Sequence, residues 1–100
     1  MARSILGSDA ERLLPVAKRV KQVVKDMDPD ARVLLVRDVT GSYGVAVVTR
    51  LARSFGEKIR LRVEVMRVLA QDLERLDVYI LPPEEYGDWV RVVVLDYIEA

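Results

Sequence analysis

The residues best suited to chemistry lie in one short turn, Asp38-Val-Thr-Gly-Ser-Tyr-Gly44, between the apolar runs 33–36 and 45–48. Glycine-rich turns in α/β proteins can present backbone N–H groups to a phosphate. On this interpretation the ligand-binding residues are Thr40, Gly41, Ser42, Tyr43 and Gly44. The competing interpretation is a tight turn that needs glycine for a positive φ and Asp38 as a side-chain cap. A later apolar run carries one acid, Asp77, so Asp38 and Asp77 are the candidate catalytic residues.

The composition excludes several kinds of active site. The chain has no His and no Cys, which removes the commonest general base, thiol nucleophiles and disulfides. A metal site would need oxygen ligands, which favour Mg²⁺ or Mn²⁺ over Zn²⁺. Because acid–base and metal chemistry need paired acids, isolated Asp38 and Asp77 favour structural roles, a turn cap and an exposed strand position. We therefore assign no metal and no cofactor, and expect Mg²⁺ only if the protein is an active enzyme.

Length and charge bound the remaining possibilities. One hundred residues predict a single domain, 1–100, that can bury a core without disulfides. The 16 basic and 16 acidic residues cancel, so nucleic acid is not an expected ligand. No apolar run approaches the roughly 20 residues of a membrane span, and the N-terminal apolar stretch is too short for a signal peptide. The sequence predicts a cytoplasmic protein without membrane contact, and its lack of asparagine is typical of a thermophile.

The elements that position the turn follow from capping and periodicity. Ser8 and Glu11 have capping-box spacing and predict a helix from Ser8 to Met27, in which Pro15 marks either a kink or the true start. Strands are predicted at 32–37 and 44–49, antiparallel if adjacent because their connection is too short for a helical crossover. A second capping box at Ser54 predicts a helix across 58–65, although that segment also alternates like a strand.

The C-terminal third predicts a third strand and a last helix. Residues 76–81 form an apolar strand that Pro82-Pro83 stops, and the acids after Pro83 favour a helix continuing to Ile98. The Val92-Val-Val94 run favours a strand instead. The result is an α/β (α+β) fold with a small mixed sheet flanked by helices. Residues 89–98 hold more apolar side chains than one helix face buries, which predicts a homo-oligomer, by default a symmetric dimer, or a protein partner.

Several motifs resemble those of the minimal nucleotidyltransferases, small members of the DNA polymerase β-like superfamily. The segment Leu76-Asp-Val-Tyr-Ile-Leu-Pro-Pro-Glu-Glu-Tyr86 is similar to the family's last core strand and the helix start after it. Val33-Leu-Leu-Val36 resembles the strand that leads into the family's Gly-Ser motif. The resemblance implies a nucleotidyltransferase-like fold, in which an Asp-x-Asp pair and a third acid hold two metal ions beside a nucleotide triphosphate.

The chain departs from this pattern at the catalytic motif. Arg37-Asp38 stands where Gly-Ser is expected, the helix after it is absent, and the Asp-x-Asp positions fall on Ser42 and Gly44. Gly41-Ser42 is an alternative Gly-Ser motif, but no Asp-x-Asp follows it. Only the third acid is kept, as Asp77. The resemblance thus implies a catalytically inactive domain, retained as an interaction or nucleotide-binding module. The alternatives are an active nucleotidyltransferase with atypical metal ligands and an unrelated structural or regulatory α/β module.

Overall fold

The computed structural model describes residues 7–72 and 75–100 and has a small α/β architecture. In chain order its elements are α1 (Gly7–Met27), β1 (Arg32–Asp38), β2 (Tyr43–Val48), a 3-10 turn (Arg50–Arg53), α2 (Phe55–Gln71), β3 (Asp77–Leu81), α3 (Pro83–Val93) and β4 (Val94–Glu99). The predicted fold class, a small mixed sheet flanked by helices, is confirmed. No helix in the described ranges is both long enough and apolar enough to cross a membrane.

The four strands form one mixed sheet in the order β3-β2-β1-β4. β1 and β2 pair antiparallel, as predicted from the short turn between them, with Arg37 opposite Tyr43 at the turn. β3 runs parallel to β2 and pairs Asp77 with Gly44. β4 runs antiparallel to β1 on the other side. β3 and β4 are therefore the two edges of the sheet.

Helices cover both faces of the central strands, which explains why β1 and β2 are apolar at successive positions. α1 and α2 pack on the face that carries Val33, Val45 and Val47. On the opposite face, Leu34, Val36, Ala46 and Val48 pack against Tyr86 and Trp89 of α3. The turn at 38–43 and the start of β3 thus lie at one end of a sheet that is fixed from both sides.

Capping and burial decide the helices as the sequence predicts, with one exception. The Ser54 hydroxyl accepts the Glu57 N–H and caps α2. Residues 58–65 are helical, and the strand alternative is wrong because burial follows the helical period, with Leu61 and Val65 inside. The predicted cap at Ser8 lies outside the described side chains. Pro15 lies inside α1, so it does not mark the start of the helix.

The predicted C-terminal helix is wrong beyond Val93. The chain leaves the helix there and forms β4, a fourth strand that pairs with β1. Two physical reasons combine. First, β4 contains the β-branched Val94 and Ile98, which favour extended backbone, although Val92 and Val93 stay helical. Second, β1 has an open side, where Ile98 packs against Leu13 and Leu35. The helix begins at Pro83 as predicted, and local propensity together with an available pairing site ends it at Val93.

A buried polar contact joins the end of α1 to the end of β2. The Thr49 hydroxyl donates to Asp28 at 2.7 Å between two residues that are each 1% exposed. The same hydroxyl accepts the Leu51 N–H and caps the 3-10 turn. Burial alone would raise the pKa of Asp28, but hydrogen bonds from Thr49 and the Asp30 N–H, with the Arg50 charge nearby, hold it below its ordinary value. Asp28 therefore contributes to stability as an ion.

We expect Thr49→Val to lower the free energy of unfolding by about 2 kcal/mol, because a buried carboxylate loses its hydroxyl donor. Thr49→Ser, which keeps the hydroxyl, is the matched control and should lose less. Because folding lowers the pKa of Asp28, its contribution is present above the unfolded-state pKa and is lost as the pH falls through the folded-state pKa. Urea titrations from neutral pH to below pH 4 should show a smaller acid-dependent loss for Thr49→Val than for the wild type. Equal stability of the three proteins would contradict this role.

Candidate functional site

Asp38 organises the turn between β1 and β2. Its Oδ1 accepts the backbone N–H groups of Thr40 at 2.9 Å and Ser42 at 3.1 Å, and also the Thr40 hydroxyl. Its Oδ2 accepts the phenol of Tyr79, from the neighbouring β3, at 3.1 Å. The hydrogen bond from Thr40 is the largest of the effects that hold the pKa of Asp38 below its ordinary value. The carboxylate is thus the cap of its own turn, as the structural interpretation predicts.

The backbone donors of the turn are used internally. Besides the two N–H groups bound by the Asp38 side chain, the Gly41 N–H donates to the Asp38 carbonyl and the Val39 N–H donates to Val93. Gly41 adopts φ +89°, the left-handed conformation that glycine tolerates best. A phosphate cradle needs N–H groups that point outward, and these point at Asp38 and Val93. The ligand-binding role of Thr40, Gly41, Ser42, Tyr43 and Gly44 stays a prediction, and the exposed Ser42 side chain is the donor it would start from.

Gly44 occupies the closest approach between β2 and β3. A Cβ at this position would lie 2.8 Å from Cε2 of Tyr79, 2.9 Å from the Asp77 carbonyl oxygen and 3.2 Å from the Asp77 Cβ. Two of these distances are shorter than side chains tolerate, and the Asp77 carbonyl belongs to a paired strand. Gly44 is therefore required by space and not by a positive φ. Asp77 sits directly opposite it and is exposed to solvent.

Tyr79 is the site residue that sequence reasoning missed. Its Oη lies 3.1 Å from Oδ2 of Asp38 and 3.5 Å from Oδ2 of Asp77, so it bridges the two predicted acids. Burial first, and then the hydrogen bond to Asp38, raise the pKa of Tyr79 to about 12, which keeps the phenol protonated as a donor. A signal was present in the sequence, because residues 77 and 79 alternate on one strand and must share a face.

A small cleft lies beside the turn, between α1 and the start of β3. It has a volume of about 240 Å³, and its lining includes Ser42, Asp77, Arg12 and Arg75. Tyr43 forms one wall, and its hydroxyl donates to Asp9 of α1 at 2.9 Å, which raises the pKa of the phenol. This bond holds the Tyr43 ring against α1. The cleft combines one acid with two arginines and a hydroxyl, which suits weak polar binding and offers no nucleophile–base pair.

Three arginines lie near the ends of β1 and β2 in sequence and could form an anion site near the turn, but Arg37, Arg50 and Arg53 do not come together. Arg37 lies opposite Tyr43 at the turn, whereas Arg50 and Arg53 follow the other end of β2. Arg50 lies near Asp28, and Arg53 forms a two-pronged ion pair with Glu84. The three are therefore separate, and Arg37 is partly buried, with an Nε that has no hydrogen-bond partner within the described residues.

The donor set does not suit a two-metal centre. Within residues 7–72 and 75–100, no three acidic side chains come close enough together to hold a metal ion. Both carboxylate oxygens of Asp38 accept internal hydrogen bonds, four in total. Asp77 is therefore the single accessible acid of the predicted pair. Magnesium binding needs more carboxylate and oxygen ligands than one side chain supplies.

No protein-family model, no curated protein and no solved structure matches this chain.

We expect Gly44→Ala to destabilise the protein by about 2 kcal/mol, because the added methyl group forces Tyr79 and the β3 backbone to move. Gly56→Ala is the matched control: a Cβ there meets nothing within 4 Å, and alanine is the better helix former, so its stability should be unchanged or slightly higher. Thermal and urea unfolding of both variants checks this. A Gly44→Ala protein as stable as the wild type would show that the close approach of β2 and β3 is not a constraint.

Proposed function

We propose that this chain is a non-catalytic, nucleotidyltransferase-like α/β domain that acts in the cytoplasm as a protein-interaction module. The observation that carries the proposal is the closed space at Gly44. In the motif that the chain resembles, this position holds the second metal-binding acid, next to the third acid. Asp77 does lie opposite Gly44, which is consistent with the resemblance. Yet even a Cβ at Gly44 would meet Tyr79 and the Asp77 backbone.

The turn itself supports a protein partner over a nucleotide. Its N–H groups donate to Asp38 and Val93, so a triphosphate would find few free backbone donors. Tyr43, whose ring is suited to stacking on a base, donates a hydrogen bond from its hydroxyl to Asp9. A nucleotide remains the alternative ligand, and it would have to bind through Ser42 and the arginines of the adjacent cleft.

The isolated protein should transfer no nucleotide to itself or to RNA, since two of the three acids of the motif are absent. The measurement is incubation with each labelled nucleotide triphosphate in Mg²⁺ and in Mn²⁺, followed by counting of the incorporated label. Wild type and Asp77→Ala should both equal the blank without protein. Incorporation by the wild type that disappears in Asp77→Ala would establish an active enzyme with atypical ligands.

For the partner, we propose a second copy of the chain, paired through the free edge of β4. An unpaired edge is a template for another strand, and this one carries exposed apolar side chains at Leu95 (54%) and Tyr97 (47%), next to Val92 (72%) at the end of α3. Antiparallel pairing with the two-fold axis at Tyr97 brings this tyrosine opposite its copy and sets Asp96 opposite Ile98. No acid then faces an acid, and an aromatic cross-strand pair forms at the centre.

Sedimentation equilibrium at micromolar concentration should show a dimer for the wild type and a monomer for Tyr97→Lys, which brings two like charges together on the axis. Val63→Lys, at a similarly exposed position on α2, is the matched control and should stay dimeric. Circular dichroism confirms that each variant is folded. A monomeric wild type, or a Tyr97→Lys protein that still dimerises, would rule out the β4 interface.

A further inference from the structure

The second helix has two apolar faces, and the described part of the chain covers one of them. The buried face consists of Leu61, Val65, Val68 and Leu69. The other face consists of Phe55, Ile59, Val63 and Met66, whose exposed fractions are 80%, 47%, 44% and 51%. These four residues, which we call the α2 ridge, are spaced i, i+4, i+8 and i+11 and therefore form one continuous line along the helix.

An apolar groove continues the ridge at its C-terminal end. Its apolar lining is Met66, Leu69, Ala70 and Leu76, the charged residues Arg75 and Asp77 complete it, and its volume is about 400 Å³. A groove of this size beside a line of exposed apolar side chains accepts a protruding side chain from a partner. A flat lipid surface would fill the groove poorly.

Basic side chains border the α2 ridge on both sides. By helical spacing, Lys58 and Arg62 lie along one side of the line, and Arg60 and Arg67 lie along the other. The helix also has two acids, Glu57 and Glu64. By the same spacing they lie beyond Arg60 and Arg67, on the side of the helix away from the ridge. Lys58 and Arg60 form no ion pair within the described ranges, whereas Arg67 is 3.0 Å from Glu64. Basic residues therefore lie nearer to the ridge than the acids of the same helix do.

Taking up the interaction role proposed above, we propose that the α2 ridge binds an amphipathic helix with acidic flanks from a partner protein. The apolar line and its groove receive the apolar face of that helix, and Arg60, Arg67 and Lys58 face its carboxylates. A second copy of this chain is a poor occupant, since two ridges packed face to face would bring basic flanks against basic flanks. The surface also differs from the proposed dimer edge, because α2 packs over the β2–β3 side of the sheet and β4 forms the opposite edge.

The test uses two synthetic helical peptides of about 18 residues, or five turns. Both carry the same leucine line, and one has glutamate on both flanks where the other has lysine. Fluorescence anisotropy of each labelled peptide is recorded against the full chain. The glutamate peptide should bind and the lysine peptide should not, and salt should weaken the complex. Ile59→Gln/Val63→Gln should bind the glutamate peptide about tenfold more weakly.

A charge reversal separates docking at the α2 ridge from general stickiness. Arg60→Glu/Arg67→Glu should lose the glutamate peptide and gain the lysine peptide. Lys18→Glu, an exposed site on α1, is the matched control and should behave as the wild type. Tyr97→Lys should also bind the glutamate peptide with wild-type affinity. The peptide assay therefore tests the α2 ridge independently of the β4 dimer. Unfolding curves confirm that each variant is folded.

Three results would overturn the proposal: equal affinity for the two peptides, binding that is unchanged in Ile59→Gln/Val63→Gln, and no binding of the glutamate peptide. The protein could instead bind an anionic membrane surface through the ridge. In that case the wild type would sediment with phosphatidylglycerol vesicles, Arg60→Glu/Arg67→Glu would not, and neither peptide would bind. A dimer that dissociates in Ile59→Gln/Val63→Gln but persists in Tyr97→Lys would assign the ridge to a second copy.

Discussion

The absence of a side chain at Gly44 lets β2 and β3 approach closely, and several other features depend on this contact. Because position 44 is empty, the Tyr79 ring can lie against β2 and reach Asp38 with its hydroxyl. Asp38 then has a donor for each carboxylate oxygen and holds the turn. On its other side, the Tyr79 ring contacts Trp89 at a centroid distance of 5.0 Å. One small residue thus links the turn, the third strand and the helix on the far face.

The same contact is the structural basis for our proposal that the domain is non-catalytic. The order of the strands places Asp77 beside the turn, where an acid could take part in a metal site. Tyr79 occupies the space that a side chain at position 44 would need, and its hydroxyl donates a hydrogen bond to the first candidate, Asp38. A phenol whose pKa is raised to about 12 remains a donor across the physiological range. The hydrogen bond between Tyr79 and Asp38 stabilises the turn, and it occupies a carboxylate that would have to be free to bind a metal ion.

Sequence reasoning works here where local chemistry decides the outcome. The Ser54 cap and the helical period of buried residues are local, so α2 and the two central strands could be predicted. The turn cap at Asp38 follows from the residue type. β4 could not be predicted from its own residues, since its formation depends on the open side of β1, which is distant in sequence. The spatial separation of Arg37 from Arg50 and the reach of Tyr79 to Asp38 depend likewise on the register of paired strands. The alternation of Asp77 and Tyr79 along β3 predicts that they share a face of the sheet, but it does not predict which residues that face contacts.

The net charge of zero includes helices whose own charges differ in sign. α2 carries four basic and two acidic residues, whereas α3 carries three acidic residues and one basic one. The two helices lie on opposite faces of the sheet, so the positive and negative fields point in different directions. The ion pair between Arg53, in the 3-10 turn before α2, and Glu84, at the start of α3, is exposed and contributes little to stability. The separation has its greatest effect on partners at a distance, because a charged surface steers association before contact is made. Exposed apolar residues lie on α2 and on β4, so under both proposals above each partner would be selected by charge as well as by apolar contact.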